Sequence, residues 1–280
     1  MKIPAPAKIN LHLAVLGRRQ DGFHNLESVF LALDFGDTLH FRPISGKNTV
    51  EIAMEGEQAA NLSLPVEKNI IFRALSLFRE KTGFDQGLRI TVEKRIPTGG
   101  GLGGGSSDAA STLLALNALA GSPLPREALP EMAACLGSDV PFFVHETTAA
   151  LVTGRGDQIR PLEPPPICRG YFVLVNPGFP SDTAAAFRLL DEHRPDTWIA
   201  PVVPDTFCND FLRVFPEPEK SVYQNIISQL QELGADFASL SGSGSTCFGA
   251  FREKPQAEKA AALLRGKWSF VELTKARIFN

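Results

Sequence analysis

The stretch PTGGGLGGGSSDAA, residues 97–110, places six glycines in seven positions around one leucine, and two serines and an aspartate follow them. Glycine loses more conformational entropy on folding than any other residue, so a cluster this dense marks left-handed turns or close approach to a ligand. A predicted strand, GLRITVEKRIP, runs into the cluster, and an apolar run at helical spacing, SSDAASTLLALNALAG, follows it. The local order is therefore strand, glycine loop, helix.

A glycine loop in this position is typical of a phosphate site, because a helix N-terminus offers unpaired N–H groups and the positive end of a dipole. Residues 99–104 match GxGxxG. A Rossmann unit has this motif after its first strand, with an acidic residue at a strand end about 20 residues later. Here several predicted strands precede the motif and no such acidic residue follows, which disfavours a Rossmann unit. The chain contains no GxxxxGK[ST] motif, so it is not a Walker P-loop protein. A tight glycine turn without a ligand remains the structural alternative.

Composition narrows the class of protein. The chain has 280 residues, of which 44% are hydrophobic and 21% charged, as expected of a folded protein with one large or two smaller domains. A net charge of −3 argues against nucleic acid as a partner. The sequence predicts neither a signal peptide nor an apolar run of membrane-spanning length. Four cysteines without a CxxC pair favour reduced thiols and a cytoplasmic location, and the five histidines show no metal-ligand spacing.

The order of predicted elements indicates an α+β fold. KINLHLAVLG alternates, which predicts a half-buried strand with Lys8 and Asn10 on its polar face, and ESVFLALDF, DTLHFRP and TVEIAM predict three further strands. A helix is predicted over residues 69–83, with Asn69 as its N-cap, and another near 126–136, where Pro130 leaves the start open. Beyond the proline-rich EPPP at 163–166, helices alternate with hairpin-like strands. We therefore predict one domain over residues 1–160 and a second over 161–280.

Four separated stretches carry a resemblance to a known family: PAKINLHLAVLGRRQDGFHNLESVF (6–30), RIPTGGGLGGGSSDAA (95–110), LGSDVPFFV (136–144) and SLSGSGSTCFGAF (239–251). Together they resemble the motifs of the GHMP kinases, which include galactokinase, homoserine kinase and mevalonate kinase. The resemblance implies a two-lobed fold. Its N-terminal, ATP-binding lobe would be similar to ribosomal protein S5 domain 2 and carry the glycine loop, and its C-terminal lobe would be ferredoxin-like.

The resemblance also implies an activity, namely ATP-dependent phosphorylation of a small molecule with Mg²⁺ neutralising the phosphates. The triple-glycine lead-in and the DGFH turn resemble the branch that phosphorylates the 2-hydroxyl of 4-diphosphocytidyl-2-C-methyl-D-erythritol in the non-mevalonate isoprenoid pathway. Two alternatives stay open at this point. One is another GHMP kinase acting on homoserine, mevalonate or a sugar, and the other is a non-catalytic nucleotide-binding module.

Site residues follow from the same motifs, position by position. The resemblance implies that Asp139 is the general base for the acceptor hydroxyl and that Lys8 is the cation beside it. An aspartate at this place is also an ordinary helix N-cap. Lys8 could instead lower the pKa of the alcohol directly. The residues on the acceptor side would be Asn10, Phe23, His24 and Phe187. The side chains of Phe23 and Phe187 would lie around a cytosine ring. The ATP side would be Pro97, Thr98, Gly99, Gly100, Gly101, Leu102, Gly103, Gly104, Gly105, Ser106, Ser107, Asn69 and Lys94. The sequence identifies no metal ligand.

Overall fold

The computed structural model describes residues 1–59, 65–193 and 207–279. Two compact units divide the chain, and each is discontinuous in sequence: the first unit comprises residues 1–7, 35–98 and 103–147, and the second comprises 8–34, 99–102 and 148–280. Two long paired strands run through both units, β1 (Lys2–Arg18) and β2 (His24–Ile44). Strand β2 joins what the sequence predicted as two separate strands. The predicted division at residue 160 stays a prediction.

The first unit combines part of a mixed sheet with four helices. The second half of β2 pairs antiparallel with β4, and β4 pairs parallel with β3. Helix α2 packs against α1, α3 and α4. The elements are β3 (Val50–Glu55), α1 (Ile70–Thr82), β4 (Gly87–Glu93), α2 (Gly104–Leu119), α3 (Leu129–Ala134) and α4 (Val140–Val144).

Helix ends in this unit follow local rules. The Asn69 side chain caps α1 by accepting a hydrogen bond from the Ile71 amide at 2.9 Å, and the helix ends at Gly83 in the left-handed conformation, as the sequence predicted. Pro130 lies in the first turn of α3, where a missing N–H costs no intrahelical bond, so this helix begins at Leu129.

The second unit contains two groups of strands. The first half of β2 pairs antiparallel with β5, and β5 pairs antiparallel with β6. A separate antiparallel sheet has the order β10–β7–β9–β8, and its elements follow the chain order strand, two helices, two strands, helix, strand. This is the order of a ferredoxin-like lobe with one additional helix after the first strand. The elements are β5 (Ala149–Gly154), β6 (Gln158–Leu162), β7 (Tyr171–Asn176), α5 (Thr183–His193), α6 (Glu219–Glu232), β8 (Phe237–Leu240), β9 (Cys247–Phe251), α7 (Lys254–Leu264) and β10 (Phe270–Lys275).

The core of this lobe lies between its sheet and helices α5, α6 and α7. Val173 and Val175 of β7 pack in one cluster with Leu190, Ile226 and Leu264 from the three helices. The sequence missed β6 because QIRPL has no run of apolar residues and carries a proline, which suits an edge strand.

Strand β1 differs from the half-buried strand that the sequence predicted. Lys8, Asn10 and His12 on its polar face are 3%, 2% and 7% exposed, hardly more than the apolar residues between them. An alternating pattern separates the two faces of a strand but does not say whether the polar face meets water or other protein groups. Here polar partners cover it, and they form the first part of the candidate site.

Candidate active site

Lys8 is buried on β1 and held by three contacts within the second unit. Its Nζ donates a hydrogen bond to Asn10 Oδ1 at 2.7 Å and lies 4.7 Å from the centre of the Phe30 ring. Its backbone amide donates to the carbonyl of Leu102 in the glycine loop at 3.0 Å. Lys8 is therefore not a solvent-exposed lysine at a strand edge. A buried ammonium must be paired, so this arrangement fixes a positive charge at one position.

Asn10 holds Lys8 in place through a small network. Its Nδ2 donates to Ser28 Oγ at 2.9 Å, and its backbone amide donates to Ser241 Oγ at 3.3 Å. The amide orientation that satisfies Ser28 leaves Oδ1 to accept from Lys8. Asn10 is thus engaged by protein groups, and its predicted contact with the acceptor stays a prediction.

The Gly/Ser-rich hairpin between β8 and β9 packs against the first half of the glycine loop. Ser241 Oγ donates to the Gly101 carbonyl at 2.9 Å, and the Thr246 amide donates to the Gly100 carbonyl at 3.1 Å. A Cβ on Gly101, which has φ +75°, would lie 2.1 Å from the Ser241 carbonyl oxygen. Only glycine fits there. The stretch SLSGSGSTCFGAF marked this hairpin in the sequence, but sequence reasoning missed its role in shaping the glycine loop.

The second half of the glycine loop leads into α2 in the first unit. Gly103 occupies the N-cap position with φ 71°, so the helix begins two residues before the predicted Ser106. The first turn of α2 contains no acidic residue that would neutralise the helix dipole. In this turn Gly105 is exposed and Ser106 is half-buried. Among the described residues Ser107 Oγ, although buried, has no hydrogen-bond partner. These features fit a phosphate group at the start of α2.

Gly103→Ala is expected to weaken ATP binding more than a control variant with the same backbone strain does. The reason is that the added methyl group lies at the predicted phosphate cradle. Gly83→Ala is the matched control, since Gly83 has the same φ of +71° in the same unit and open space around it. A left-handed alanine costs about 1–2 kcal/mol at either site. Calorimetry with ATP and thermal melting of both variants test this. Equal ATP affinity of the two variants would contradict a phosphate cradle.

Lys94 occupies a buried cluster of three charges in the first unit. Its Nζ donates to Asp37 and to Asp108 Oδ2, the latter at 2.8 Å. Burial raises the pKa of Asp108 to about 7, against the lowering effect of the Lys94 charge. For Lys94, burial acts to lower the pKa, but the carboxylates of Asp108 and Asp37 raise it above its usual value. The ammonium is thus occupied by carboxylates, and a contact of Lys94 with adenine stays a prediction.

Asp37 and Asp108 are functional candidates that sequence reasoning missed. Asp37 Oδ1 accepts hydrogen bonds from the backbone amides of Arg95 and Ile96, at 2.5 and 2.9 Å, on the segment that leads into the glycine loop. Asp108 lies in the second turn of α2, and its Oδ1 has no hydrogen-bond partner among the described residues. The cluster therefore ties the approach to the glycine loop to the helix that follows it. No motif in the sequence pairs these residues.

Asp139 stands at the N-cap position of α4, where its side chain makes no capping hydrogen bond. Capping is therefore not its structural task, in contrast to Asn69, whose side-chain oxygen does cap α1. Any contact of Asn69 with adenine stays a prediction. Asp139 belongs to the first unit and Lys8 to the second.

Two of the predicted acceptor residues meet in the second unit. The rings of His24 and Phe187 stack with centres 4.8 Å apart and planes 15° from parallel. His24 Nε2 lies 2.7 Å from Asp191 Oδ1, on the same helix as Phe187 and four residues further on. Phe23 is 53% exposed, with the Arg155 guanidinium 5.1 Å from its ring centre. Asp191 was missed, although its spacing from Phe187 places both on one face of α5.

Three further observations concern metals, membranes and thiols. No group of three or more metal-ligating side chains occurs among the described residues. Within the same residues, every helix is too short or too polar to cross a membrane. All four cysteines are free thiols.

Comparison with known proteins gives the family. Residues 69–147 match the model of the GHMP kinase N-terminal domain, and residues 211–269 match that of the GHMP kinase C-terminal domain. A 4-diphosphocytidyl-2-C-methyl-D-erythritol kinase from Xanthomonas axonopodis pv. citri is 40% identical over 269 residues, which cover 94% of this chain and 86% of that protein. A protein of the same name from Paraburkholderia phytofirmans is 39% identical over 278 residues, covering 95% and 90%.

Solved structures agree with these matches. A crystal structure of 4-(cytidine 5'-diphospho)-2C-methyl-D-erythritol kinase superposes with a TM-score of 0.80 at 32% identity, covering 99% of this chain and all of that one. Homoserine kinase from Cytophaga hutchinsonii, at 21% identity and a TM-score of 0.69, shares the fold over 99% of this chain and 94% of its own. With both domain models matched in order, and with relatives about 40% identical over nearly the whole chain, this chain belongs to the GHMP kinase family and has its two-lobed fold.

Proposed function

We propose that the protein transfers the γ-phosphoryl group of ATP to the 2-hydroxyl of 4-diphosphocytidyl-2-C-methyl-D-erythritol. The observation that carries the proposal is the buried Lys8, whose backbone is bonded to the glycine loop at Leu102 and whose ammonium is fixed by Asn10. A fixed cation beside a phosphate loop suits phosphoryl transfer, which depends on positioning and on stabilising negative charge. The relatives that bear this activity in their names support the choice of acceptor.

ATP would be held through its phosphates by the glycine loop and by the N–H groups that open α2. The unpartnered hydroxyl of Ser107 and the half-buried Ser106 offer further donors at the start of this helix. Mg²⁺, bound with the nucleotide, would neutralise part of the phosphate charge. Asp37, Lys94 and Asp108 would keep the backbone on either side of the loop in one conformation.

In the chemical step, Asp139 would accept the proton of the acceptor hydroxyl while Lys8 stabilises the negative charge that develops on the transferred group. In an alternative mechanism Lys8 lowers the pKa of the hydroxyl directly and Asp139 only orients it. The two mechanisms differ in the expected effect of Asp139→Asn on kcat, which falls strongly only if the carboxylate is the base.

The acceptor would be recognised through its cytosine ring. His24 and Phe187 form a flat aromatic pair in the second unit, and Phe23 is an exposed ring next to His24 in the chain. Such a set suits a planar base and has no evident purpose for homoserine, mevalonate or a sugar. The aromatic pair therefore favours the cytidylyl acceptor over those of other GHMP kinases.

A coupled assay of ADP release, with and without the cytidylyl acceptor, tests the function as a whole. We expect ADP release to depend on that acceptor and to be absent with homoserine, mevalonate or galactose. Turnover with one of these instead would establish a different GHMP kinase. ATP binding without any turnover would indicate a non-catalytic nucleotide-binding module.

Phe23→Ala is expected to raise the KM for the acceptor without changing the KM for ATP, because stacking of a base on an aromatic ring is worth about 1–3 kcal/mol. In the unchanged protein CDP should compete with the acceptor and not with ATP. Phe279→Ala is the matched control, since Arg277 lies 5.1 Å from the Phe279 ring centre, the same distance as Arg155 from Phe23. If Phe23→Ala affects both substrates equally, this residue does not hold the base.

A further inference from the structure

The first half of the glycine loop is held in place by its carbonyl groups. Three consecutive carbonyls, at residues 99–101, accept hydrogen bonds of 2.9–3.1 Å from other parts of the second unit: the Ser181 amide, the Thr246 amide and the Ser241 hydroxyl. A peptide group is planar and trans, so its N–H points away from its C=O. The N–H groups of residues 100–102 therefore point away from these partners, and no described residue accepts a hydrogen bond from them. Successive amides of this kind suit an anion.

Ser181 attaches the same loop to the start of helix α5. Its amide donates to the Gly99 carbonyl, and its hydroxyl donates to the Ser243 carbonyl at 2.5 Å. The hydroxyl of Thr183, the first residue of α5, lies 2.8 Å from the hydroxyl of the same buried Ser243. A Cβ on Gly99 would lie 2.8 Å from Pro180 Cβ, so the two segments pack closely. This short segment therefore forms a bridge between the glycine loop and α5.

An anion on the loop acts on this bridge through one peptide group. The Gly99 carbonyl and the Gly100 amide belong to the same peptide group, so an anion that accepts from the amide makes the carbonyl a stronger acceptor. The hydrogen bond from Ser181 to that carbonyl is then strengthened, and the start of α5 is held more firmly. Phe187, a predicted acceptor residue, lies on α5 four residues after Thr183. Ordering the bridge for one ligand therefore reduces the entropy cost of binding the other.

We propose that Ser181 and Thr183 are positioning residues that couple the two substrate sites. A nucleotide phosphate on the glycine loop and the acceptor on α5 would then strengthen each other's binding. The place of the acceptor on α5 rests on the proposed function. The response of α5 to a nucleotide does not depend on which acceptor the enzyme uses. Coupling is reciprocal, so each ligand must change the affinity of the other by the same factor.

The first test measures this factor by calorimetry. CDP is the probe of the acceptor site, and the β,γ-methylene analogue of ATP is the probe of the glycine loop. We expect CDP to bind about 5- to 20-fold more tightly when the protein is saturated with the analogue, the lower part of the usual range for coupled sites. The analogue should gain the same factor from CDP. Equal affinity for CDP with and without bound analogue would overturn the proposal.

Variants of the bridge separate positioning from stability. Ser181→Ala combined with Thr183→Val removes both hydroxyls and leaves the amide bond to Gly99, about which the segment can pivot. Each ligand alone should still bind, but the coupling factor should fall towards one. Ser181→Thr combined with Thr183→Ser keeps both hydroxyls and should keep the factor.

The matched control is Ser269→Ala. Ser269 Oγ donates to the Pro177 carbonyl at 3.2 Å, at the start of the same β7–α5 loop, and this bond does not reach the glycine loop. The coupling factor should therefore be unchanged. If the variant without the two hydroxyls binds both ligands more weakly but keeps the coupling factor, the hydroxyls only stabilise the lobe and the proposal is wrong. Melting curves establish that each variant is folded.

The second test needs no acceptor. Hydrogen exchange of residues 181–193, read by mass spectrometry, should slow when the ATP analogue alone is bound, while exchange of α7 in the same lobe should not change. The variant without the two hydroxyls should show no such slowing. Unchanged exchange of residues 181–193 in the unchanged protein with bound analogue would overturn the proposal, whatever the acceptor is.

The outcomes separate the inference from the function on which it rests. If CDP does not bind and the cytidylyl acceptor is not turned over, while the analogue still slows exchange of residues 181–193, the proposed function fails and the bridge is supported. If CDP binds and the acceptor is turned over without any coupling, the function is supported and the bridge is refuted. If the analogue does not bind at all, both are wrong.

Discussion

Asp139→Asn is expected to lower kcat by about 10²- to 10⁴-fold, the usual contribution of a positioned base, while ATP binding is retained. The reason is that the substitution keeps the shape of the side chain but removes its charge and its ability to accept a proton. Because Asp139 makes no capping hydrogen bond to α4, the change should not weaken the start of that helix. Steady-state kinetics and thermal melting measure the two effects separately.

The matched control is Asp182→Asn. Asp182 does hydrogen-bond the start of its helix, since Oδ1 accepts from the amides of Ala184 and Ala185 at 2.9 and 3.1 Å. Asparagine is a cap of similar strength, so this variant removes the same charge at a helix start and should change kcat by no more than about twofold. A near-normal kcat in Asp139→Asn would refute Asp139 as the base and favour direct lowering of the hydroxyl pKa by Lys8.

A second substitution, Lys8→Met, tests whether Lys8 and Asp139 act in the same chemical step. Lys8→Met keeps the buried stem and removes the charge bonded to Asn10, so kcat should again fall severely. Groups that act as a unit are non-additive. The double variant should therefore lose much less activity than the product of the two single losses. Independent, multiplicative losses would show that Lys8 and Asp139 do not serve one step.

Lys94→Met is expected to destabilise the fold by about 3–5 kcal/mol, because it leaves Asp37 and Asp108 buried without their cation. The penalty should grow with pH. The folded-state pKa of Asp108 is already raised, to about 7, and losing the ammonium raises it further. A raised pKa gives stability that is present below the unfolded value, about 3.9, and lost as the pH rises through the folded value. The parent already loses this stability up to about pH 7, so the additional loss in the variant should appear above that pH. Urea unfolding at several pH values between these two limits and above measures the effect.

The control for this prediction neutralises the whole cluster. Asp37→Asn, Lys94→Met and Asp108→Asn combined remove all three charges at once and should recover much of the lost stability, since no unpaired charge remains. The ATP affinity of the combined variant then shows whether the cluster orders the glycine loop. A Lys94→Met protein as stable as the parent, at every pH, would contradict the structural importance of the cluster.

Much of the fold could be predicted from short stretches of sequence. Asn69 and Gly83 bound α1 as predicted, and the hairpin of β8 and β9 forms around its Gly/Ser turn. These features depend on a few neighbouring residues, so local propensity is sufficient. The errors arose where a distant partner decides the outcome. Two predicted strands form the single β2 because β5 pairs with one half and β4 with the other.

For the candidate site, the sequence by itself determined which stretches matter: the glycine loop before a helix, the alternating strand with Lys8 and Asn10, and the aromatic turn at Phe23 and His24. Only the tertiary structure decided which partners these side chains meet. Ser241 reaches Asn10 across 231 positions of the chain, Asp37 meets Lys94 across 57, and Asp191 meets His24 across 167. Secondary-structure patterns act over a few residues, whereas buried charges and polar groups are paired by the path of the whole chain.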